Sequence, residues 1–231
     1  MKNTEKPTEN SKTTRRQFLT RSAGVTAAVG LAGSLSVARS AHVVGDDTLR
    51  LAVIGCGGRG TGAAKDALTT EGSVKLVALA DIFEDRVQRS LKALNSVAEI
   101  SDKIELPQEH LFIGFDSYKR VMEMDVDVVL LTSPPAFHPM QYSAAITAGK
   151  HVFMEKPVCL DGPGYRLAME TNKLADAKNL KVVVGLQRRH QQSYIDGIKR
   201  IHDGQVGDII LMRTYFNMPS NGPNYQRRPD T

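Results

Sequence analysis

Three glycines, Gly55, Gly57 and Gly60, follow the apolar residues 51–54 in the pattern G-x-G-x-x-G. Between a strand and a helix, this pattern allows a tight turn, brings backbone amides close to a diphosphate and lets the helix pack against the strand. The free N–H groups and the dipole at the start of the helix then stabilise the phosphates. The predicted cofactor-binding residues of this turn are Gly55, Gly57, Gly58, Arg59 and Gly60.

An acidic residue, Asp81, ends the next apolar segment, residues 74–80, and lies 26 positions beyond Gly55. In dinucleotide-binding folds a carboxylate about 20 residues after the first glycine accepts hydrogen bonds from the adenosine ribose. The same carboxylate would repel a 2′-phosphate, so we expect NAD to bind more tightly than NADP. Arg86 lies close enough in the sequence to weaken that preference.

Three further polar clusters each follow an apolar segment, which is where open α/β sheets bind their ligands. They are residues 132–138 with Ser133, Pro134 and His138, the tripeptide Glu155-Lys156-Pro157, and residues 185–190 with Gln187, Arg188 and His190. Charged residues such as Glu155 and Lys156 are rarely buried at a strand end without a reason. The alternatives are an exposed Glu155–Lys156 ion pair, a His138 that only packs its turn, and a solvated run that includes Arg188 and His190.

Together these motifs resemble the N-terminal part of the Gfo/Idh/MocA family of NAD(P)-dependent oxidoreductases. The resemblance extends from about residue 49 to residue 216 and rests on the glycine turn, Asp81, residues 132–134 with His138, Glu155-Lys156-Pro157 and residues 185–189. It implies bound NAD, with Lys156 beside the nicotinamide and the substrate. It also implies that the Ser133–His138 loop, Glu155 and Gln187 border the cofactor, while Arg188 and His190 are candidates to face the substrate.

The resemblance implies hydride transfer between NAD and a sugar, cyclitol or related polyol, with Lys156 as the catalytic residue that hydrogen-bonds the reacting hydroxyl. Two alternatives share the same motifs: an NAD-dependent glycosidase that oxidises a ring hydroxyl transiently before elimination, and a nucleotide-binding protein without catalysis. Family members usually carry a catalytic Asp/His pair in a second domain, and no corresponding motif is present in this sequence. We therefore expect these 231 residues alone to be inactive.

Apolar segments alternate with helical patterns along the chain, which predicts an α/β fold with a Rossmann-type, doubly wound parallel sheet. The predicted strands are residues 49–54, 74–80, 126–132, 151–154, 181–185 and 209–216, and the predicted helices are residues 61–68, 84–94, 140–148, 165–177 and 194–202. We assign residues 42–190 to the dinucleotide-binding domain. Residues 191–231 are interpreted as the truncated start of a second α/β domain, because a lone strand at 209–216 can neither bury its face nor pair its edges.

The first 41 residues have the features of a twin-arginine signal peptide, with Arg15 and Arg16 before Phe18, Leu19 and a mildly apolar stretch. They hold seven Lys or Arg and two Asp or Glu, which accounts for the whole net charge of +5. The remaining chain is neutral overall, so its charge does not indicate a nucleic-acid surface. We expect twin-arginine export to the periplasm, a small carbohydrate or polyol substrate, a homo-oligomer at full length, and neither a stable membrane span nor a metal site.

Overall fold

A computed structural model describes residues 48–215, which form a six-stranded parallel sheet with connecting helices. The strands are β1 (Leu49–Ile54), β2 (Val74–Asp81), β3 (Leu111–Ile113), β4 (Val128–Leu131), β5 (His151–Glu155) and β6 (Val182–Gly185). The α-helices are α1 (Gly58–Leu68), α2 (Glu84–Asn95), α3 (Ser117–Glu123), α4 (His138–Thr147), α5 (Gly162–Ala177) and α6 (Gln192–His202). Short 3₁₀ helices cover Ala98–Lys103, Gln108–His110 and Gln187–His190. The predicted Rossmann-type fold is confirmed.

The strand order is β3-β2-β1-β4-β5-β6, and every neighbouring pair is parallel. From β1 the chain builds outward to β3, then crosses back to place β4 on the other side of β1. Ile54 pairs with Ala80 of β2 and with Leu131 of β4, so the three central strands end level with one another. The carboxyl ends of β1 and β4 therefore form the switch point at which open α/β sheets bind ligands.

Both faces of the sheet are covered by apolar packing. Leu51 and Val53 of β1 belong to one buried cluster, whereas Ala52 and Ile54 belong to the other. Successive strand side chains point to opposite faces, so the two clusters lie on opposite sides of the sheet. This explains why β4 is a continuous apolar run rather than an alternating one.

Two features of the fold differ from the predictions. β3 and α3 were not predicted. The strand has only three residues and the helix seven, so each shows too little periodicity to be recognised. Residues 209–215 form no strand, although they belong to a segment with a strand-like apolar pattern. Ile210 is 95% exposed, and no described strand lies beside this segment to supply hydrogen bonds. A strand pattern without a neighbouring strand leaves the backbone unpaired.

The predicted signal peptide, residues 1–41, lies outside the described residues, as does residue 216 at the end of the last predicted strand. Within residues 48–215, no helix has both the length and the apolar composition needed to cross a membrane.

Candidate active site

The glycine-rich turn connects β1 directly to α1, and two of its glycines are required by space. Gly55 has a φ of +102°, and a β-carbon added there would lie 2.4 Å from the backbone nitrogen of Ser133. A β-carbon added to Gly60 would lie 1.9 Å from the carbonyl oxygen of Gly55. A side chain at Gly58 would instead meet nothing within 4 Å. The turn therefore packs tightly on its protein side and is open at the start of α1.

Hydrogen bonds to both neighbouring strands fix this turn. The Gly55 N–H donates to the carbonyl oxygen of Ala80 at 2.8 Å. The Thr132 N–H donates to the carbonyl oxygen of Ile54 at 2.9 Å. The Thr132 hydroxyl donates to the carbonyl oxygen of Gly55 at 2.7 Å. Thr132 was not among the predicted site residues. Its position directly after an apolar strand was the available signal.

Asp81 faces the same turn from the end of β2. Its Oδ2 accepts a hydrogen bond from the Cys56 N–H at 2.7 Å, and its Oδ1 accepts one from the Phe83 N–H at 3.0 Å. The carboxylate is therefore held in place while the residue remains partly exposed.

Cys56 is a buried packing residue within the turn, with only 3% of its surface exposed. Burial, and secondarily the charge of Asp81, raise the pKa of its thiol. A raised pKa disfavours the nucleophilic thiolate. Cys56 therefore fits as a small residue between β1 and α1.

A cleft of about 220 Å³ opens at the carboxyl ends of β1, β2 and β4. The predicted site residues that line it are Gly55, Asp81, Ser133 and Pro134. Apolar side chains, including Ile82, Phe115 and Phe137, form much of its remaining surface. Phe115 follows the unpredicted strand β3, so sequence reasoning missed this wall. The apolar residues 111–113, followed by a glycine, were the only signal for it.

His138 begins α4 and is completely buried. Its Nδ1 lies 2.8 Å from the carbonyl oxygen of Pro157, and its Nε2 lies 2.8 Å from that of Ser133. The ring thus joins the loop after β4 to the turn after β5. Complete burial favours the interpretation of His138 as a packing residue, because a ligand in the cleft cannot reach its ring directly.

Glu155 is paired with Arg59 of α1 rather than with its neighbour Lys156. The Arg59 Nη2 donates to the Glu155 Oε1 in an ion pair. The Glu155 side chain is 10% exposed and that of Arg59 is 55% exposed. A nearly buried carboxylate needs such a cation, because desolvating an unpaired charge is costly. The pair therefore joins the glycine-rich turn to the end of β5.

Lys156 lies just beyond β5 and is exposed. Its neighbours on both sides are held: Glu155 by Arg59, and the carbonyl group of Pro157 by His138. Within residues 48–215, its ammonium group forms no hydrogen bond or ion pair. The exposed Glu155–Lys156 ion pair considered as an alternative is therefore not present.

Gln187, Arg188 and His190 lie on the 3₁₀ helix after β6 and are exposed. The Arg188 guanidinium stacks on the ring of Tyr194, 5.1 Å from its centroid, and hydrogen-bonds its hydroxyl. Arg188 also lines a separate groove against α6. None of these three residues lines the cleft beside Asp81, which opens at the carboxyl ends of β1, β2 and β4.

The described chain is similar to known NAD-binding oxidoreductases. A family model, Gfo/Idh/MocA, described as an oxidoreductase family with an NAD-binding Rossmann fold, matches residues 49–186. Inositol 2-dehydrogenase of Klebsiella pneumoniae is 29% identical over 178 residues, which cover 77% of this chain and 48% of that protein. The chain thus spans about half the length of the curated relatives it matches.

Two solved structures are similar to most of this chain. Myo-inositol 2-dehydrogenase from Lactobacillus plantarum has a TM-score of 0.56 at 27% identity, covering 71% of this chain and 43% of that chain. Scyllo-inositol dehydrogenase from Lactobacillus casei, with bound NAD(H) and scyllo-inositol, has a TM-score of 0.55 at 27% identity, covering 70% and 43%.

Proposed function

The chain belongs to the Gfo/Idh/MocA oxidoreductase family with an NAD-binding Rossmann fold, and from this premise we propose that the complete protein transfers hydride between NAD and a cyclitol or related polyol. Inositol dehydrogenases are among the proteins it resembles over most of its described length. The observation that carries the proposal is the ion pair between Arg59 of the glycine-rich turn and Glu155, because it joins the turn to the residue that precedes Lys156.

The residues around the turn fit an NAD diphosphate. Gly57 gives α1 no side-chain cap, and the first turn of α1 contains no acidic residue. Its first amides are therefore left for an external acceptor, and no carboxylate within that turn repels an anion. Asp81 offers oxygen acceptors for the ribose hydroxyls. The apolar wall with Ile82 and Phe115 suits a flat, weakly polar base.

Lys156 is the residue that we propose for catalysis. When bound, NAD supplies the ring that accepts the hydride. The ammonium of Lys156 donates a hydrogen bond to the oxygen of the reacting hydroxyl and stabilises the negative charge that develops there while the hydroxyl proton passes to water. Arg59 and His138 act on this step indirectly, because they hold the residues on either side of Lys156. Orientation of this kind lowers the entropic part of the barrier.

The proposal is tested by incubating the complete purified protein with NAD and either myo-inositol or scyllo-inositol, and recording NADH absorbance. We expect NADH to form with at least one cyclitol, and calorimetry to show tighter binding of NAD than of NADP. The preference follows from the charge of Asp81 beside the turn. A protein that binds neither nucleotide would contradict the proposed function.

We also propose that residues 1–41 direct twin-arginine export to the periplasm. The support is the Arg15-Arg16 pair followed by Phe18, Leu19 and a mildly apolar stretch. The homo-oligomer implied by the family resemblance likewise stays a prediction for the complete protein.

The export proposal predicts the fate of a fluorescent reporter that folds before transport, fused to residues 1–41. We expect the reporter in the periplasm with the natural sequence and in the cytoplasm after Arg15→Lys with Arg16→Lys. The export machinery recognises the arginine pair itself, and the double substitution leaves the total charge unchanged. Cell fractionation measures both. Equal periplasmic amounts from the two fusions would refute the signal.

A further inference from the structure

Gln141 is a buried polar residue of α4 in the wall of the cleft. Only 7% of its surface is exposed, and it lines the cleft together with Ser133, Phe137 and Met140. Its Oε1 accepts a hydrogen bond from the Ser133 hydroxyl at 2.5 Å. Within residues 48–215, its amide nitrogen donates no hydrogen bond. Half of a buried amide is therefore satisfied and the other half is not.

The amide nitrogen of Gln141 is accessible from outside the packed interior. Among the residues of 48–215 that are not exposed, only His110 Nδ1 lacks both a partner and contact with solvent. The Gln141 nitrogen has no partner, so it keeps contact with solvent, and the cleft is the opening that this residue lines. Side-chain polar atoms buried to this degree usually have a partner. The unused donor therefore indicates a position for a ligand.

The Gln141 amide offers N–H donors next to an acceptor. A glutamine Oε1 has two acceptor positions, and because Ser133 occupies one, the other remains beside the N–H groups. The 6-amino edge of adenine presents the complementary pair, an amino donor next to a ring nitrogen that accepts. Hypoxanthine has a carbonyl oxygen in place of that amino group, and this oxygen would face the glutamine oxygen and be repelled by it.

We propose that Gln141 is a specificity-determining residue that recognises the 6-amino edge of the adenine ring of NAD. Asp81, the proposed partner of the adenosine ribose, lines the same cleft, as do the apolar side chains of Phe137 and Met140 beside the base. Ser133 is a positioning residue, because its hydroxyl fixes the rotation of the Gln141 amide. The inference rests on the proposed function, since it takes the cleft to hold the adenine end of the dinucleotide.

The test is calorimetric titration of two dinucleotides into the complete protein and its Gln141→Leu variant. The ligands are NAD and nicotinamide hypoxanthine dinucleotide, which differ only in the purine base. We expect the natural protein to bind NAD about 5- to 100-fold more tightly, the usual discrimination by a paired side chain and base edge. In Gln141→Leu the ratio of the two dissociation constants should approach unity, because leucine neither donates nor accepts a hydrogen bond.

Tyr142→Phe is the matched control for Gln141→Leu. Tyr142 is the next residue of α4, is buried and lies outside the lining of the cleft. Its hydroxyl donates to the Asn172 Oδ1 at 2.6 Å, so the substitution also removes one side-chain hydrogen bond from α4. The ratio of the two dissociation constants should stay at its natural value in this variant.

Ser133→Ala provides a second variant with a smaller change in packing, which decides the question where Gln141→Leu does not fold. It should lower the discrimination without abolishing it, because the Gln141 amide is then free to rotate. An unchanged ratio of dissociation constants in either variant would overturn the inference, as would a natural protein that binds the two dinucleotides equally well. Failure to bind either dinucleotide would instead overturn the proposed function.

Discussion

Replacing Lys156 by alanine should lower kcat of the complete protein by about 10²- to 10³-fold, the usual cost of removing one hydrogen-bond donor to an oxygen that gains negative charge. The dissociation constant for NAD should stay nearly unchanged. The ammonium group is exposed and unengaged within the described part of the chain, so its removal breaks no contact that supports the fold. Stopped assays of NADH formation and calorimetry with NAD separate the two effects.

Lys173→Ala provides the matched control for Lys156→Ala. Lys173 is an exposed lysine of α5 and is far from the glycine-rich turn in the sequence. Its loss should leave kcat and NAD affinity within about twofold of the natural protein. Equal activity of the Lys156→Ala and Lys173→Ala variants would show that Lys156 does not contact the reacting atoms.

The parts of the site that lie close together in the sequence could be predicted from it. The glycine-rich turn is a strand, a turn and a helix in succession, and the contact that requires Gly60, with the carbonyl oxygen of Gly55, is local. The contact that requires Gly55 is with Ser133, which is distant in the sequence. The alternation of strands and helices then predicts parallel strands whose carboxyl ends meet at one edge. Gly55, Asp81, Ser133 and Pro134 line one cleft, as that edge predicts, and the NAD-binding fold is confirmed by the family match.

The partner of Glu155 could not be predicted, because it comes from the other end of the domain. Arg59 and Glu155 are 96 residues apart in sequence, whereas Lys156 is adjacent to Glu155. Glu155 is the last residue of β5 and is nearly buried, whereas Lys156 lies beyond the strand and is exposed, so adjacency in the sequence does not pair the two charges. The buried carboxylate is therefore paired across the sheet edge with α1.

The position of each strand within the sheet could not be predicted from the sequence pattern either. Arg188 and His190 follow an apolar strand, as Lys156 does. That strand, β6, lies at the edge of the sheet, and the residues after it are exposed. The wall of the cleft at Phe115 was not predicted for the same reason, because it depends on where β3 lies in the sheet. Its strand, β3, is short because it pairs along only three residues of β2. Tertiary pairing, rather than local periodicity, determines both features.

The Gly60→Ala variant should lose both stability and nucleotide affinity. The new methyl group would lie 1.9 Å from the carbonyl oxygen of Gly55 and 2.6 Å from the Thr132 hydroxyl. Neither atom can move freely, because Gly55 is hydrogen-bonded to Ala80 and the Thr132 hydroxyl donates to Gly55. Overpacking of this kind costs about 1–3 kcal/mol in the free energy of unfolding. The displaced turn should also bind NAD more weakly.

Gly62→Ala makes the same chemical change two residues further along α1 and should have the opposite sign. A β-carbon there meets nothing within 4 Å, and the residue lies inside the helix. Replacing a helical glycine by alanine stabilises by about 0.5–1 kcal/mol, because the unfolded chain loses conformational freedom. Urea unfolding of the two variants and calorimetry with NAD compare them directly. If Gly60→Ala were as stable as Gly62→Ala and bound NAD equally well, the close approach of α1 to the turn would not be required for the site.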